Sequence, residues 1–337
     1  MQKQKAVIIG FGSIAKLHAK SIELSEYVEL YGVFDIQEAK MIECRNCYSC
    51  KMYQSYEEVL EDQEVDVVHI CTPHYLHSKM AIMAIRANKH VVLEKPIAIK
   101  AEELDDLVDA YKSGKVKVSV MLQNRLNLTV LKMQELIQEE KLGKLLGVNG
   151  FITWHRNEEY YKSGDWRGKI ATEGGGLIIN QAPHILDLMN LLGGGIERVR
   201  CSISNKSLEG IIEVEDTCDT LFHYKNGAIG CFYGSNAYTP SSPIRLELQF
   251  EQGLYRFADN VLYKVGDSVE IIARDDRNCP GKSYWGNGHV VAIHSFYEAL
   301  VENKPHVTDL LTTIHSGRLL LAMYESARSN KEIRVEQ

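Results

Sequence analysis

A β-branched apolar run at residues 6–9 feeds directly into Gly10-Phe11-Gly12-Ser13-Ile14-Ala15, and a helical pattern follows. This spacing lets a backbone cradle a pyrophosphate. Gly10 permits the tight turn out of the strand, Gly12 lets the chain approach the phosphates, and Ala15 is small enough for close helix–sheet packing. The helix N-terminus, at Ser13 and Ile14, offers unpaired N–H groups and a partial positive charge. A second strand at residues 30–34 closes on Asp35. A carboxylate there accepts hydrogen bonds from an adenosine ribose 2′-hydroxyl and repels a 2′-phosphate. Residues 10–14 with Asp35 therefore specify a dinucleotide cofactor, NAD in preference to NADP.

Lys95 is a second candidate. It follows a buried strand at its carboxyl end, where ligands bind in doubly wound folds. An ammonium in a desolvated cleft beside an oxidised nicotinamide has its pKa lowered, which suits proton transfer near neutrality. A solvated lysine at a strand end is the plain alternative. Residues 154–167, Trp-His-Arg-Asn-Glu-Glu-Tyr-Tyr-Lys-Ser-Gly-Asp-Trp-Arg, mix aromatic rings with charged groups. Rings cover the C–H face of a sugar, and Arg, Asn, Asp and His read its hydroxyl rim. Trp154 and Trp166 read equally well as core anchors, while Gln123, Arg125, Tyr160, Tyr161 and Tyr284 are further pocket candidates. Arg125, Arg156 and Arg167 form no dense cluster, yet they leave a phosphate or nucleotide group open. Cys44, Cys47 and Cys50 resemble a metal-ligand set but lack a fourth ligand and fall on an expected helix, so they read as reduced thiols.

These residues need elements to hold them. At 337 residues the chain fits two domains, and 45% hydrophobic with 25% charged residues is a globular composition. A net charge of −7 argues against general nucleic-acid binding. No apolar run is long enough to span a bilayer, and the first strand begins at once with no signal peptide, which leads to a cytoplasmic expectation. Residues 1–124 alternate strands (6–9, 30–34, 51–53, 66–71, 90–93, 117–122) with helices, as a Rossmann doubly wound parallel sheet requires. Residues 125–337 form a second, α+β domain. It has helices at 128–140 and 177–192, a run of strands from 199 to 272 suggesting a large, mainly antiparallel open sheet, and closing helices at 289–303 and 309–329. The last of these has room to pack back toward the first domain, and the active site is expected in the cleft between the two.

The ordered motifs Gly10-Phe-Gly-Ser-Ile-Ala15, Thr72-Pro73-His74 with His77, Glu94-Lys95-Pro96, Trp166-Arg167-Gly168, Gly174-Gly175-Gly176 and Asn180-Gln-Ala-Pro-His184-Ile-Leu-Asp187 carry a resemblance over the whole length. The chain resembles the Gfo/Idh/MocA family of oxidoreductases. The resemblance implies NAD-dependent oxidation of a secondary hydroxyl of a sugar, glycoside or cyclitol, with C3 of a glucose-type ring preferred. It implies that Lys95 is an acid/base or substrate-orienting group, that His184 is a base or a substrate contact, and that Asn180 orients substrate hydroxyls, with Asp187 either supporting the site or packing its helix. Arg125, Trp166, Arg167 and Tyr160 remain the substrate contacts expected from their own chemistry. Thr72, Pro73, His74, His77, Glu94 and Lys95 would border the nicotinamide half of the cofactor. The Lys95–Pro96 bond is expected to be cis, and the reaction needs no metal.

The family pattern is Asp-x-x-x-His on one helix face, and Asn180 departs from it. An amide orients hydroxyls but accepts no proton, so His184 lacks that carboxylate, with Asp187 the nearest substitute. Two alternatives stay open: an NAD-retaining glycosidase or lyase working by transient oxidation, and a non-catalytic NAD-sensing regulator. The family also implies a homodimer or homotetramer through the second-domain sheet.

Overall fold

The computed structural model describes residues 3–277 and 288–336, so Tyr284 and Cys279 lie outside the described residues. The chain divides into two compact units, each taken by itself below.

The first unit holds residues 3–123 and 288–314. Its parallel sheet has strands β1 (Gln4–Ile9), β2 (Val28–Phe34), β3 (Lys51–Met52), β4 (Val67–Ile70), β5 (His90–Leu93) and β6 (Val118–Val120) in the order β3-β2-β1-β4-β5-β6. Ala6, Val7, Ile8 and Ile9 are fully buried, because helices cover both faces of the sheet. Those helices are α1 (Ser13–Glu23), α2 (Glu38–Tyr48), α3 (Tyr56–Glu61), α4 (His77–Arg86) and α5 (Ala101–Ser113). Strand order reverses at β1 and β4, the place where doubly wound sheets bind ligands beyond their strand ends.

One assignment changes. Helix α11 (Gly288–Val301), expected in the second domain, packs against α1 in the first unit. Ala292, Ile293, Phe296 and Tyr297 are buried there, and Tyr27 and His294 lie ring to ring at 5.0 Å. The helical period of this segment was legible. Which core it serves was not.

The second unit holds residues 124–277 and 315–336. Its sheet comprises β7 (Leu145–Thr153), β8 (Ile196–Ser204), β9 (Thr217–Tyr224), β10 (Ile229–Ser235), β11 (Arg245–Phe250), β12 (Gly253–Ala258), β13 (Val261–Val265), β14 (Val269–Arg274) and β15 (Ile333–Arg334). The order is β14-β13-β12-β11-β7-β10-β9-β8-β15. The β7–β10 pair is parallel and the other described pairs are antiparallel. Along β9, Cys218, Thr220, Phe222 and Tyr224 are buried while Asp219 and Leu221 are exposed, so one face is covered and the other open. Strand β15 was not foreseen, since two residues give too short a pattern.

The remaining helices are α6 (Leu128–Gln138), α7 (Glu158–Lys162), α8 (Ile170–Glu173), α9 (Leu177–Asn180), α10 (Pro183–Leu192) and α12 (Leu310–Ser329). The single helix expected over 177–192 is broken between α9 and α10. Pro183 has no N–H to continue the ladder and sits in the first turn of α10, while the Ala182 N–H reaches back to the Leu177 carbonyl at 2.9 Å. Asn180 and His184 are therefore on successive short helices rather than one continuous face.

Cys44 and Cys47 lie on α2 and Cys50 just beyond it. The buried Cys44 and Cys50 sulfurs are 3.6 Å apart and all three are free thiols. Among the described residues no group of side chains could hold a metal ion, and no helix is long and apolar enough to cross a membrane.

Gly176 begins α9 where no side chain fits: a Cβ would stand 2.0 Å from the Glu215 carbonyl oxygen, which accepts the Leu177 N–H at 3.1 Å. Gly176→Ala is expected to destabilise the fold by about 1–3 kcal/mol or more, read as a lower urea midpoint at unchanged m-value. An unshifted midpoint would show that this approach is relaxed in solution.

Candidate functional site

In the first unit the glycine turn is built as a phosphate cradle. Gly10 has φ +83°, and a Cβ on it would meet the Cys71 carbonyl oxygen at 3.0 Å, whereas Gly12 faces open space. The Phe11 side chain is buried, so its contribution to the cradle comes from its backbone. Its N–H donates to Asp35 Oδ2 at 2.7 Å, and the Gln37 N–H donates to Asp35 Oδ1 at 2.8 Å. Asp35 thus braces the glycine turn and keeps a second lone pair on each oxygen for a ribose hydroxyl. Beyond β4, Thr72 Oγ1 is buried and has no hydrogen-bond partner among the described residues. An orphaned hydroxyl, open space before Gly12 and a carboxylate with spare acceptor capacity fit a dinucleotide.

Pro73 starts the turn through His74 that leads into α4, and the buried His74 ring lies 5.7 Å from that of His77. His77 is a brace. Its Nδ1 lies 2.7 Å from the Pro96 carbonyl and its Nε2 2.8 Å from the Thr72 carbonyl. Only an imidazolium donates to both, yet burial pushes its pKa down against the pull of those carbonyls. What His77 offers the cofactor is therefore the shape of the two flanking loops. The Lys95–Pro96 peptide is cis, as expected.

Glu94 ends a buried chain of polar groups. His18 Nε2 is 3.0 Å from Glu94 Oε1, His18 Nδ1 is 2.9 Å from His69 Nδ1, and His69 Nε2 is 2.6 Å from the Tyr297 hydroxyl. A carboxylate only accepts, so His18 Nε2 donates to it. His69 links the other His18 nitrogen to the Tyr297 hydroxyl, so a continuous hydrogen-bonded chain runs from Tyr297 to Glu94. Burial and the His18 charge hold His69 well below its ordinary value, which agrees with a neutral ring. Burial would raise Glu94, but the hydrogen bond from His18 and the nearby His18, His289 and Lys95 hold it down at about 2. Its other oxygen accepts the Lys95 N–H at 3.2 Å. His18, His69 and Tyr297 were missed from sequence. A histidine inside the apolar stripe of α1 was the one available signal.

In the second unit, the start of α9 is held by Glu215. This buried carboxylate accepts the Gly176 and Ile178 N–H groups, both at 2.9 Å, and the Tyr324 hydroxyl at 2.7 Å. Asn180, at the end of α9, donates through Nδ2 to Glu173 Oε1 at 2.5 Å and lies 3.3 Å from the Tyr160 hydroxyl. Glu173 also accepts the Gly168 N–H. The carboxylate absent from position 180 is thus present seven residues upstream, fully buried, and reaches the site through the Asn180 amide. Burial pushes Glu173 up to about 7, against the Gly168 and Asn180 hydrogen bonds and the charge of Arg167. Glu173 was not picked out from sequence, although an acid directly before three glycines was visible.

The Tyr160 hydroxyl also accepts Gln181 Nε2 at 3.1 Å and Arg167 Nη1 at 2.7 Å. Tyr160, Trp166, Arg167 and Asn180 are therefore brought together, in the same unit as the half-buried His184 on α10. Arg125 and Asp187 are not part of that group. Arg125 Nε and Nη2 grip Asp187 Oδ2 and Oδ1 at 2.9 and 2.6 Å, both residues are buried, and Ser316 donates to the same carboxylate. The substrate contact expected of Arg125 and the site support open to Asp187 give way to a buried ion pair that anchors α10 from its covered side. Asp187 does not take the place of the missing carboxylate beside His184.

Comparison with known proteins identifies the family. The model of an oxidoreductase family with an NAD-binding Rossmann fold matches residues 4–122, and that of the GFO/IDH/MocA C-terminal domain matches residues 130–256. The chain is 23% identical over 292 residues to a levoglucosan dehydrogenase of Pseudarthrobacter phenanthrenivorans, covering 73% of this chain and 74% of that one. It is 24% identical over 283 residues to a Myo-inositol 2-dehydrogenase of Thermotoga maritima, covering 82% and 80%. Among solved structures, the WlbA dehydrogenase of Chromobacterium violaceum, in complex with NADH and UDP-GlcNAcA, superposes with a TM-score of 0.89 at 27% identity, covering 100% of this chain and 97% of that one.

Two outcomes are expected. Asp35→Ala should weaken NAD binding and narrow the preference over NADP, measured by titration with each nucleotide; an unchanged preference would place ribose recognition elsewhere. Glu173 has a folded pKa near 7 against an ordinary value of 4.5, so the folded state binds its proton more tightly in that window. Stability should therefore fall as pH rises from about 4.5 to 7, and Glu173→Gln should flatten that slope in urea melts taken at several pH values.

Proposed function

Because the chain belongs to the Gfo/Idh/MocA family of NAD-dependent oxidoreductases, we propose that it oxidises a secondary hydroxyl of a sugar, glycoside or cyclitol ring, with C3 of a glucose-type ring as the reacting carbon. The observation that carries this reading is the group of Asn180, Gln181 and Tyr160 in the unit that bears His184. Amides and a phenol recognise ring hydroxyls, and aromatic side chains suit the C–H face of a ring. The relatives named levoglucosan dehydrogenase and Myo-inositol 2-dehydrogenase support a ring polyol as substrate. The preference for C3 rests on the amide at position 180, which sugar-oxidising branches of the family tolerate.

NAD, when bound, accepts the hydride from the ring carbon. His184 takes the hydroxyl proton, and the Lys95 ammonium donates a hydrogen bond to the alkoxide that develops. Asn180 orients the hydroxyl, and its own orientation is fixed by Glu173. Glu94, kept ionised by the His18 hydrogen bond, presents acceptors for the nicotinamide ribose. Thr72 Oγ1 supplies a further polar contact on that side.

Lys95→Met and His184→Ala should each lower kcat by about 100- to 10,000-fold while leaving NAD affinity nearly intact. The assay follows formation of reduced nicotinamide with a panel of ring polyols. Full turnover in either variant would remove that residue from the mechanism. Product formation with no net reduction of added NAD would overturn simple dehydrogenation.

A further inference from the structure

Residues 154–167 form an alternating stack in the second unit. The Arg156 guanidinium carbon lies 5.0 Å from the Trp154 ring and 5.0 Å from the Tyr160 ring. The Arg167 carbon lies 4.6 Å from the Tyr160 ring and 4.4 Å from the Trp166 ring. The order is thus Trp154, Arg156, Tyr160, Arg167, Trp166. Each guanidinium thus lies within cation–π distance of two rings, which still leaves N–H groups to donate. Those groups are lightly used. Arg156 Nη1 donates to the His155 carbonyl at 2.8 Å, Arg156 Nε is buried with no hydrogen-bond partner among the described residues, and Arg167 Nη1 donates to the Tyr160 hydroxyl.

Among the described residues neither arginine has a carboxylate within ion-pair distance. The carboxylates that pair with arginine do so elsewhere, at Arg125, Arg198, Arg245, Arg256, Arg277 and Arg334. Glu158, Glu159 and Asp165 are close in sequence, yet Glu158 pairs with Lys162 instead. Two arginines held against aromatic rings, with no carboxylate within ion-pair distance among the described residues, make a receptor for an external anion.

We propose that Arg156 and Arg167 bind an anionic group on the substrate, so that the ring oxidised is a sugar carrying a carboxylate or a phosphate. This deepens the dehydrogenase reading above and rests on it. Tyr160 connects the two ends of the recognition: its ring lies within cation–π distance of both guanidiniums, and its hydroxyl meets Asn180 and Gln181. A planar fork matches either anion bidentately, so carboxylate and phosphate share one chemistry and must be separated by experiment.

The test uses the full-length protein with NADH and four probes: glucose, glucuronate, glucose 1-phosphate and glucose 6-phosphate. Thermal stabilisation by each is measured first, because it does not depend on turnover. At least one anionic probe should bind about 10- to 100-fold more tightly than glucose, the range expected for hydrogen bonds to a charged group. Whether glucuronate or a phosphate wins identifies the anion. Arg156→Gln and Arg167→Gln should bring the anionic-to-neutral ratio toward unity, and Arg156→Lys should restore part of it. In oxidation assays with NAD the same loss should appear in KM more than in kcat. Equal binding of glucose and all three anions, no binding of any anion, or a preference that survives both glutamine substitutions would overturn the proposal. If anions bind selectively but no probe reduces NAD, the receptor stands and the dehydrogenase reading fails. Melting of each variant without probe checks that it is folded, and Arg156→Gln, which leaves the Arg167–Tyr160 bond in place, carries the test if Arg167→Gln does not fold.

Discussion

A carboxylate taken out of water must find its hydrogen bonds inside the protein, and this chain meets that demand at the loops that build its sites. Asp35 is solvated by the Phe11 and Gln37 N–H groups, which fixes the glycine turn to the end of β2. Glu215 is solvated by Gly176, Ile178 and Tyr324, which fixes where α9 begins. Asp216 accepts three successive N–H groups from Lys206, Ser207 and Leu208. At Asp35 and Glu215 both carboxylate oxygens are met, whereas Asp216 is met at Oδ2 and its buried Oδ1 has no partner among the described residues. Losing these donors would leave a buried acceptor unmet, at a cost of about 1–3 kcal/mol or more for a charged group. The acids thereby set the positions of loops that hydrophobic packing alone would leave loose.

Two buried glutamates are held at different pKa values. Glu94 faces an imidazole N–H at the end of a hydrogen-bonded chain and stays ionised, with its pKa held at about 2. Glu173 is also buried, but its donors are an amide side chain and a backbone N–H, and its pKa rises to about 7. Neutral donors only partly replace water, whereas the histidine cluster favours the anion. A permanent charge therefore stands beside Lys95, and a titratable carboxyl stands behind Asn180. The departure from the family pattern at position 180 reads as a relocation of the acid rather than its loss.

Some of the site was legible because its chemistry is local. A glycine turn between a buried strand and a helix, and an acid closing the next strand, are short-range patterns, and the structure places both as expected. The cis bond at Lys95–Pro96 was expected from the family resemblance instead. Arg125 and Asp187 show where such reading stops. They are 62 residues apart, and nothing in either segment announces that each is the other's partner. The break between α9 and α10 was signalled by Pro183, but an apolar period running across it concealed the signal.

The sequence by itself determined the parallel first sheet and the glycine turn that opens it, because strand period and glycine conformation are set by neighbours along the chain. Only the tertiary structure decided which unit α11 serves, which carboxylate stands behind Asn180, and that Arg156 and Arg167 each lie against two aromatic rings. Those outcomes depend on which charged groups come within hydrogen-bond reach after the chain has folded. Burial makes each such pairing energetically decisive, and sequence separation carries no record of it.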